Sequence, residues 1–150
     1  MTLVDVETHC EATPAQVWAT LVDWEQQTRW LHAASVHVVG APSGGLGTRV
    51  RRRVALAGGL AIASDLIVTE WAPGRRLGLR RDGRGLVGIG AFELAATDLG
   101  THLRWWEALA GPLGPLGDAG LALFAPLLER ARRQALARLK ALTESAGAAR

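Results

Sequence analysis

Apolar and polar side chains alternate at the start of the chain. Val4, Val6, Thr8 and Cys10 interleave with Asp5, Glu7, His9 and Glu11, so Leu3 to Cys10 has the period of two of a strand with one wet face. The period then changes. Thr13 precedes Pro14, and Val17, Trp18 and Leu21 follow at helical spacing, which predicts an N-cap, a proline at the first helical position and a short amphipathic helix. A second short helix is predicted over Trp24 to Leu31. From Ser35 the pattern becomes that of strands broken by Gly- and Pro-rich turns. The predicted strands are Ser35 to Val39, Thr48 to Leu56, Ala61 to Trp71, Arg76 to Arg81, Leu86 to Ala95 and Thr101 to Leu109. The segments Ala41-Pro42-Ser43-Gly44-Gly45, Gly58-Gly59, Ala72-Pro73-Gly74, Asp82-Gly83, Asp98-Leu99-Gly100 and Gly111-Pro112 end them.

After Pro115 the period is helical again. Leu121, Phe124, Leu128, Ala131, Ala135, Leu139 and Leu142 recur at three and four, predicting one helix of about 25 residues with an apolar face. The order is strand, two short helices, six strands, long helix. Short turns between consecutive strands favour an antiparallel meander. The sheet and the long helix have to bury their apolar faces on each other, which predicts a single α+β domain over 1–150. The small, polar segment Ser145 to Arg150 is expected to fray.

Composition agrees with a globular chain: 49% hydrophobic and 21% charged residues in 150. No apolar run approaches the roughly 20 residues a membrane span requires. The first ten residues lack the features of a secretory signal, so a cytoplasmic location is expected. Cys10 is the sole cysteine, which excludes an internal disulfide. The net charge of +3 arises from 17 basic residues, all arginine except Lys140, against 14 acidic ones. So small an excess argues weakly for a nucleic-acid partner.

Several segments taken in order resemble a known family. Ala12-Thr13-Pro14-Ala15-Gln16-Val17-Trp18, Asp23-Trp24 and Trp30 resemble the opening of the START-like (SRPBCC) superfamily, which includes polyketide cyclase/dehydrase-type and birch-pollen-allergen-like proteins. Gly47-Thr48-Arg49, Val68-Thr69-Glu70-Trp71-Ala72-Pro73, Gly100-Thr101 with Leu103, Trp105 and Glu107, and the closing stretch Leu127 to Leu142 are similar to its later strands and last helix. The resemblance implies a helix-grip fold, in which a curved seven-stranded antiparallel sheet wraps the C-terminal helix around a cavity. Members bind lipids, sterols, polyketides or hormones, catalyse cyclisation or dehydration, or act as protein partners, so fold alone leaves function open.

Strand parity proposes cavity residues. Leu103, Trp105, Glu107 and Leu109 share a face, as do Leu86, Gly88, Gly90, Phe92 and Leu94. Gly88 and Gly90 either leave room for a ligand or mark bends of a curved sheet. Glu107 is expected inside, where a carboxylate must be paired, hydrogen-bonded or protonated. It serves as an acid/base group, as a polar anchor for a ligand, in an internal hydrogen bond or an ion pair such as one with Arg52, or it stands at the wet end of the strand. Asp65, on a strand that alternates poorly and where a bulge could turn it to either side, and His32, after Trp30 and otherwise a surface or structural residue, are the further catalytic candidates. Trp30, Arg52, Gly88, Gly90, Phe92, Trp105, Phe124 and Leu128 are the candidate ligand contacts. Trp18, Trp24 and Trp71 are expected to close the core.

His9, His32, His37 and His102 are scattered, so no metal site is expected, and no phosphate loop, dinucleotide fingerprint or serine elbow occurs. No cofactor is expected. Arg49, Arg51, Arg52, Arg53, Arg75, Arg76, Arg80, Arg81 and Arg84 form a basic region that could meet an acidic partner, a nucleic acid or an anionic membrane, although a solvated sheet face explains most of it. The reading is a monomer or homodimer that binds a small hydrophobic, aromatic or polycyclic metabolite. The alternatives are a polyketide cyclase or dehydratase using Glu107, and a ligand-free protein partner.

Overall fold

In the computed structural model, residues 1–33, 35–55, 61–83 and 85–148 are described. Leu56, the Gly58-Gly59 turn and Arg84 lie outside them. The elements are β1 (Thr2–Cys10), α1 (Pro14–Leu21), a 3-10 helix (Trp24–Arg29), β2 (Ser35–Val38), β3 (Arg49–Ala55), β4 (Ala61–Ala72), β5 (Arg76–Asp82), β6 (Val87–Thr97), β7 (Gly100–Ala110) and α2 (Pro115–Ala148).

The seven strands form one open antiparallel sheet in the order β1-β7-β6-β5-β4-β3-β2. Strands β2 to β7 are the expected meander, and β1 returns to the far edge against β7. The helical turns after β1 carry the chain from one edge of the sheet to the other. With α2 covering the sheet, this is the helix-grip α+β fold. On β7, Thr101, Leu103, Trp105, Glu107 and Leu109 are buried while their neighbours are half-buried. Alternation therefore fixes which side chains meet the helix.

The helix α1 starts where the sequence requires. Thr13 Oγ1 accepts from Gln16 N–H at 3.2 Å, and Gln16 Oε1 accepts from Thr13 N–H at 2.9 Å, a reciprocal capping box before Pro14. Val17, Trp18 and Leu21 enter the core. The second predicted helix is a 3-10 helix ending at Arg29, two residues early, and its Trp24 and Gln27 are buried.

Strand β4 explains its poor alternation. A register shift between Val68 and Glu70 inserts Thr69 as a bulge. Leu66 and Val68 point inward before it, and Trp71 turns inward after it to meet Trp18 edge-on at 5.1 Å.

The long helix has 34 residues and passes Ser145 as far as Ala148. The reason lies at Glu144, which accepts from Glu11 N–H at 2.8 Å and from Lys140 Nζ at 2.8 Å, while Lys140 also donates to the His9 carbonyl at 2.6 Å. This latch ties the last turns to the end of β1. Leu121, Ala135, Leu136, Leu139 and Thr143 are the buried residues of α2. Phe124 and Ala131, expected on that face, are exposed. The inward stripe runs instead through Leu128, Arg132 and Leu136, at steps of four. The helix packs chiefly over β1 and against α1.

Candidate functional site

The register of the sheet assembles a buried charge cluster. On β6, Gly90 pairs with Leu79 of β5 on one side and with Glu107 of β7 on the other, and Gly88 likewise separates Arg81 from Leu109. Without side chains there, β6 leaves a trough on its inner face. Arg81 reaches across it, its Nη2 donating to Glu107 Oε2 at 3.1 Å. From above, Arg132 of α2 brings Nη2 to 3.0 Å from Glu107 Oε1, and its guanidinium lies 4.5 Å from the centre of the Trp105 ring.

The space above each glycine is not free for a ligand. A Cβ on Gly90 would stand 2.6 Å from the Trp106 carbonyl oxygen and 2.9 Å from Glu107 Cγ, and one on Gly88 only 2.1 Å from the Ala108 carbonyl oxygen. Close strand approach and the crossing ion pair both require these glycines.

Arg52 is 4% exposed on β3 and is not the partner of Glu107. Its Nε and Nη2 donate to Gln27 Oε1 at 3.2 and 2.9 Å, and Gln27 Nε2 in turn donates to the Leu21 carbonyl at 3.2 Å. Arg81 Nη1 donates to Ser64 Oγ at 3.1 Å, whereas its buried Nε has no acceptor among the described residues. Glu107 Oε1 is within ion-pair distance of Arg132 but has no N–H aimed at it with hydrogen-bond geometry.

These neighbours set the charge states. Burial by itself raises the pKa of Glu107, but Arg132, Arg81 and Arg52 more than offset it, and the carboxyl is held below its ordinary range. Burial, reinforced by Arg81 and Arg132, brings Arg52 down to about 9, which leaves it charged at neutral pH. The centre is three guanidiniums around one carboxylate.

The rest of the interior is filled. Phe92 stacks on Trp105 with ring centres 4.7 Å apart, and Trp30 stands edge-on to both, at 6.2 and 6.3 Å. A space of about 10 Å³ remains beside Arg52, Arg81, Gly88, Gly90, Trp105 and Glu107. A second, of about 50 Å³, lies between Leu31, His32, Ala33, Val54, Ser64 and the guanidiniums of Arg52, Arg81 and Arg132. Larger depressions lie elsewhere, such as one of about 430 Å³ between α1, the 3-10 helix and the end of α2, lined by Gln16, Thr20, Asp23 and Thr143 among others.

Of the residues singled out from sequence, the fold brings Glu107, Arg52, Gly88, Gly90, Trp30, Phe92 and Trp105 to one region, with the exposed His32 at its rim. Asp65 does not join them. It points from the opposite face of β4, where Arg51 Nε and Nη2 donate to its two oxygens at 2.9 and 3.1 Å. Phe124 is 57% exposed on α2, and Leu128 is half-buried. The sequence pattern assigns Arg81 and Arg132 no site role. The signal for Arg132 is its place one turn from both Leu128 and Leu136, which marks it as inward-facing. For Arg81 the signal is parity with Leu77 and Leu79.

The outer face accounts for much of the basic region. Arg51, Arg76, Arg80 and Arg104 are each ion-paired there, with Asp65, Glu70, Asp82 and Asp5 respectively. No described helix is long and apolar enough to cross a membrane, and among the described residues no group of three or more potential metal ligands converges.

A helix-grip sheet with one charged centre under its long helix defines the class of molecule. Residues 1–144 match the family model described as "Polyketide cyclase / dehydrase and lipid transport", and the chain belongs to that family. Solved structures show the same fold. The protein TTHA0849 from Thermus thermophilus is similar at a TM-score of 0.81 and 20% identity, covering 97% of this chain and 99% of its own. Protein CV1439 from Chromobacterium violaceum gives a TM-score of 0.75 at 19% identity, over 96% and 99% of the two chains. The di-domain ARO/CYC StfQ of the steffimycin biosynthetic pathway gives 0.75 at 15% identity, over 97% of this chain and 52% of that one. Among curated proteins none matches significantly.

Proposed function

We propose that this protein binds a small molecule with an apolar, aromatic body at the centre formed by Glu107, Arg52, Arg81 and Arg132, and that Glu107 holds the guanidiniums in place there without exchanging protons with the ligand. The observation that carries this is the clamp on Glu107. Arg81 and Arg132 stand 3.1 and 3.0 Å from its oxygens, and the three guanidiniums lower its pKa. A carboxylate so held has no proton to donate at neutral pH and is a weak base. Trp30, Phe92 and Trp105 supply the aromatic wall.

Spaces of about 10 and 50 Å³ do not hold a bicyclic ring, so a ligand of that size binds by displacing side chains of the wall or by outward movement of α2. The first half of that helix is the part least committed to the core: Leu116, Leu123, Phe124 and Leu127 are all exposed.

The family's description favours a second reading, a cyclase or dehydratase. In it the guanidiniums would stabilise charge developing on a folded polyketide-like chain.

Native purification followed by denaturation and mass spectrometry tests the first reading. A stoichiometric apolar compound is the expected result. An empty protein that also fails to bind naphthalene- or anthracene-based probes defeats it. If the compound found is converted on incubation, and Glu107→Gln abolishes conversion while retaining affinity, the second reading replaces the first.

A further inference from the structure

We infer that the cluster receives the carboxylate group of its ligand, so that the bound molecule is an apolar organic acid. This rests on the ligand-binding reading above and names the ligand's chemical class. Charge counting leads to it. Arg52, Arg81 and Arg132 converge on a single carboxylate, Glu107, and leave two positive charges in the interior without a matching acid. No other carboxylate among the described residues faces them: Asp65 and Asp82 are engaged by Arg51 and Arg80 on the outer face. The other charged or titratable side chain at the opening is His32, on the rim.

Buried guanidiniums are held by paired acceptors, and here the acceptors run short. Among the described residues Arg52 has only the amide oxygen of Gln27. Arg81, with its side chain 10% exposed, has a buried Nε that meets no acceptor among the described residues. A guanidinium edge with free N–H groups takes a carboxylate in two parallel bonds.

The opening has the matching size. The space bounded by Arg52, Arg81 and Arg132 measures about 50 Å³. That is room for about three waters, enough for a carboxylate and too little for a ring. The headgroup occupies this space, and the apolar part takes the room opened beside it when side chains of the aromatic wall or the first half of α2 move.

The inference is tested on the full chain by calorimetric titration with 2-naphthoate, with 2-naphthalenemethanol, which keeps the ring and loses the charge, and with inorganic phosphate. The acid is expected to bind about tenfold or more tighter than the alcohol, a gap that narrows in high salt. Arg52→Gln still offers Gln27 a donor and leaves the clamp on Glu107 intact. It is expected to weaken the acid about tenfold, spare the alcohol and leave the melting temperature undiminished. Arg52→Lys keeps the charge but not the planar fork and should lie between. Equal affinity for acid and alcohol overturns the inference and leaves the apolar-ligand reading standing. Binding of neither overturns both. Phosphate binding as tightly as 2-naphthoate overturns the assignment to an organic acid.

Discussion

Glu107 sits where burial alone would protonate a carboxyl, and the arginines around it reverse that outcome. Because its folded pKa lies below the ordinary value of 4.5, its contribution to stability is present above that pH and is lost as pH falls through the folded value. Glu107→Gln removes the one carboxylate from three guanidiniums and should cost about 3–5 kcal/mol at pH 7. Urea unfolding from pH 7 downward should show the gap between wild type and variant closing below pH 4.5. A gap independent of pH would mean that Glu107 acts through packing alone. Gly90 answers to a different constraint. Any side chain there meets the Trp106 carbonyl oxygen, which cannot move without breaking the strand pair. Gly90→Ala should cost about 1–3 kcal/mol by denaturant midpoint, and no loss would show that β6 and β7 can separate locally.

Among the elements, α1 depends most on its first residue. Eight residues are too few for a helix to persist by itself, so its position rests on the Thr13 box and on the burial of Val17, Trp18 and Leu21. Thr13→Ala should destabilise the protein by about 1 kcal/mol, read as a shift in denaturant midpoint at constant slope. A null result would place the anchoring in the side chains alone. The long helix divides into two parts. Its second half is held by Ala135, Leu136, Leu139 and Thr143 and by the Glu144 latch. Its first half carries four exposed large apolar side chains and Pro126, which has no N–H to give its own turn. Hydrogen exchange should therefore be faster at 119–128 than at 132–144. Uniform protection along α2 would show that the helix opens as one unit and would remove outward movement of its first half as a route for ligand entry.

At the scale of the molecule, a sheet and a helix enclose an interior that carries net positive charge, against an exterior whose charges nearly balance and are heavily paired. On the outer face Arg51, Arg76, Arg80 and Arg104 each find a carboxylate in reach, and such exposed pairs contribute little to stability. The inner cluster is different because little water reaches it to screen it. A ligand that supplies the missing negative charge would stabilise the whole fold by mass action. Melting temperature should rise at about tenfold lower concentrations of an apolar carboxylate than of its neutral counterpart, measured on the wild-type chain.

Local pattern by itself determined most of the architecture. Alternation placed Leu103, Trp105, Glu107 and Leu109 on the inner face of β7, and the capping residues placed α1, because both depend on neighbours a few positions apart. Poor alternation in β4 pointed to a bulge but not to its place at Thr69, since the inserted residue shows only against the partner strand, and it carries Trp71 inward beside Trp18. The candidate site was legible only in its centre. Glu107 announces itself as a carboxylate on an apolar face, but its partners Arg81 and Arg132 are 26 and 25 positions away, and their meeting requires the trough at Gly88 and Gly90 and the rotation of α2. The same rotation turns Phe124 outward, and the parity of β4 sends Asp65 to Arg51. Sequence periodicity fixes which residues share a face. Which charges meet across the core is set by strand register and helix rotation, and only the folded chain has those.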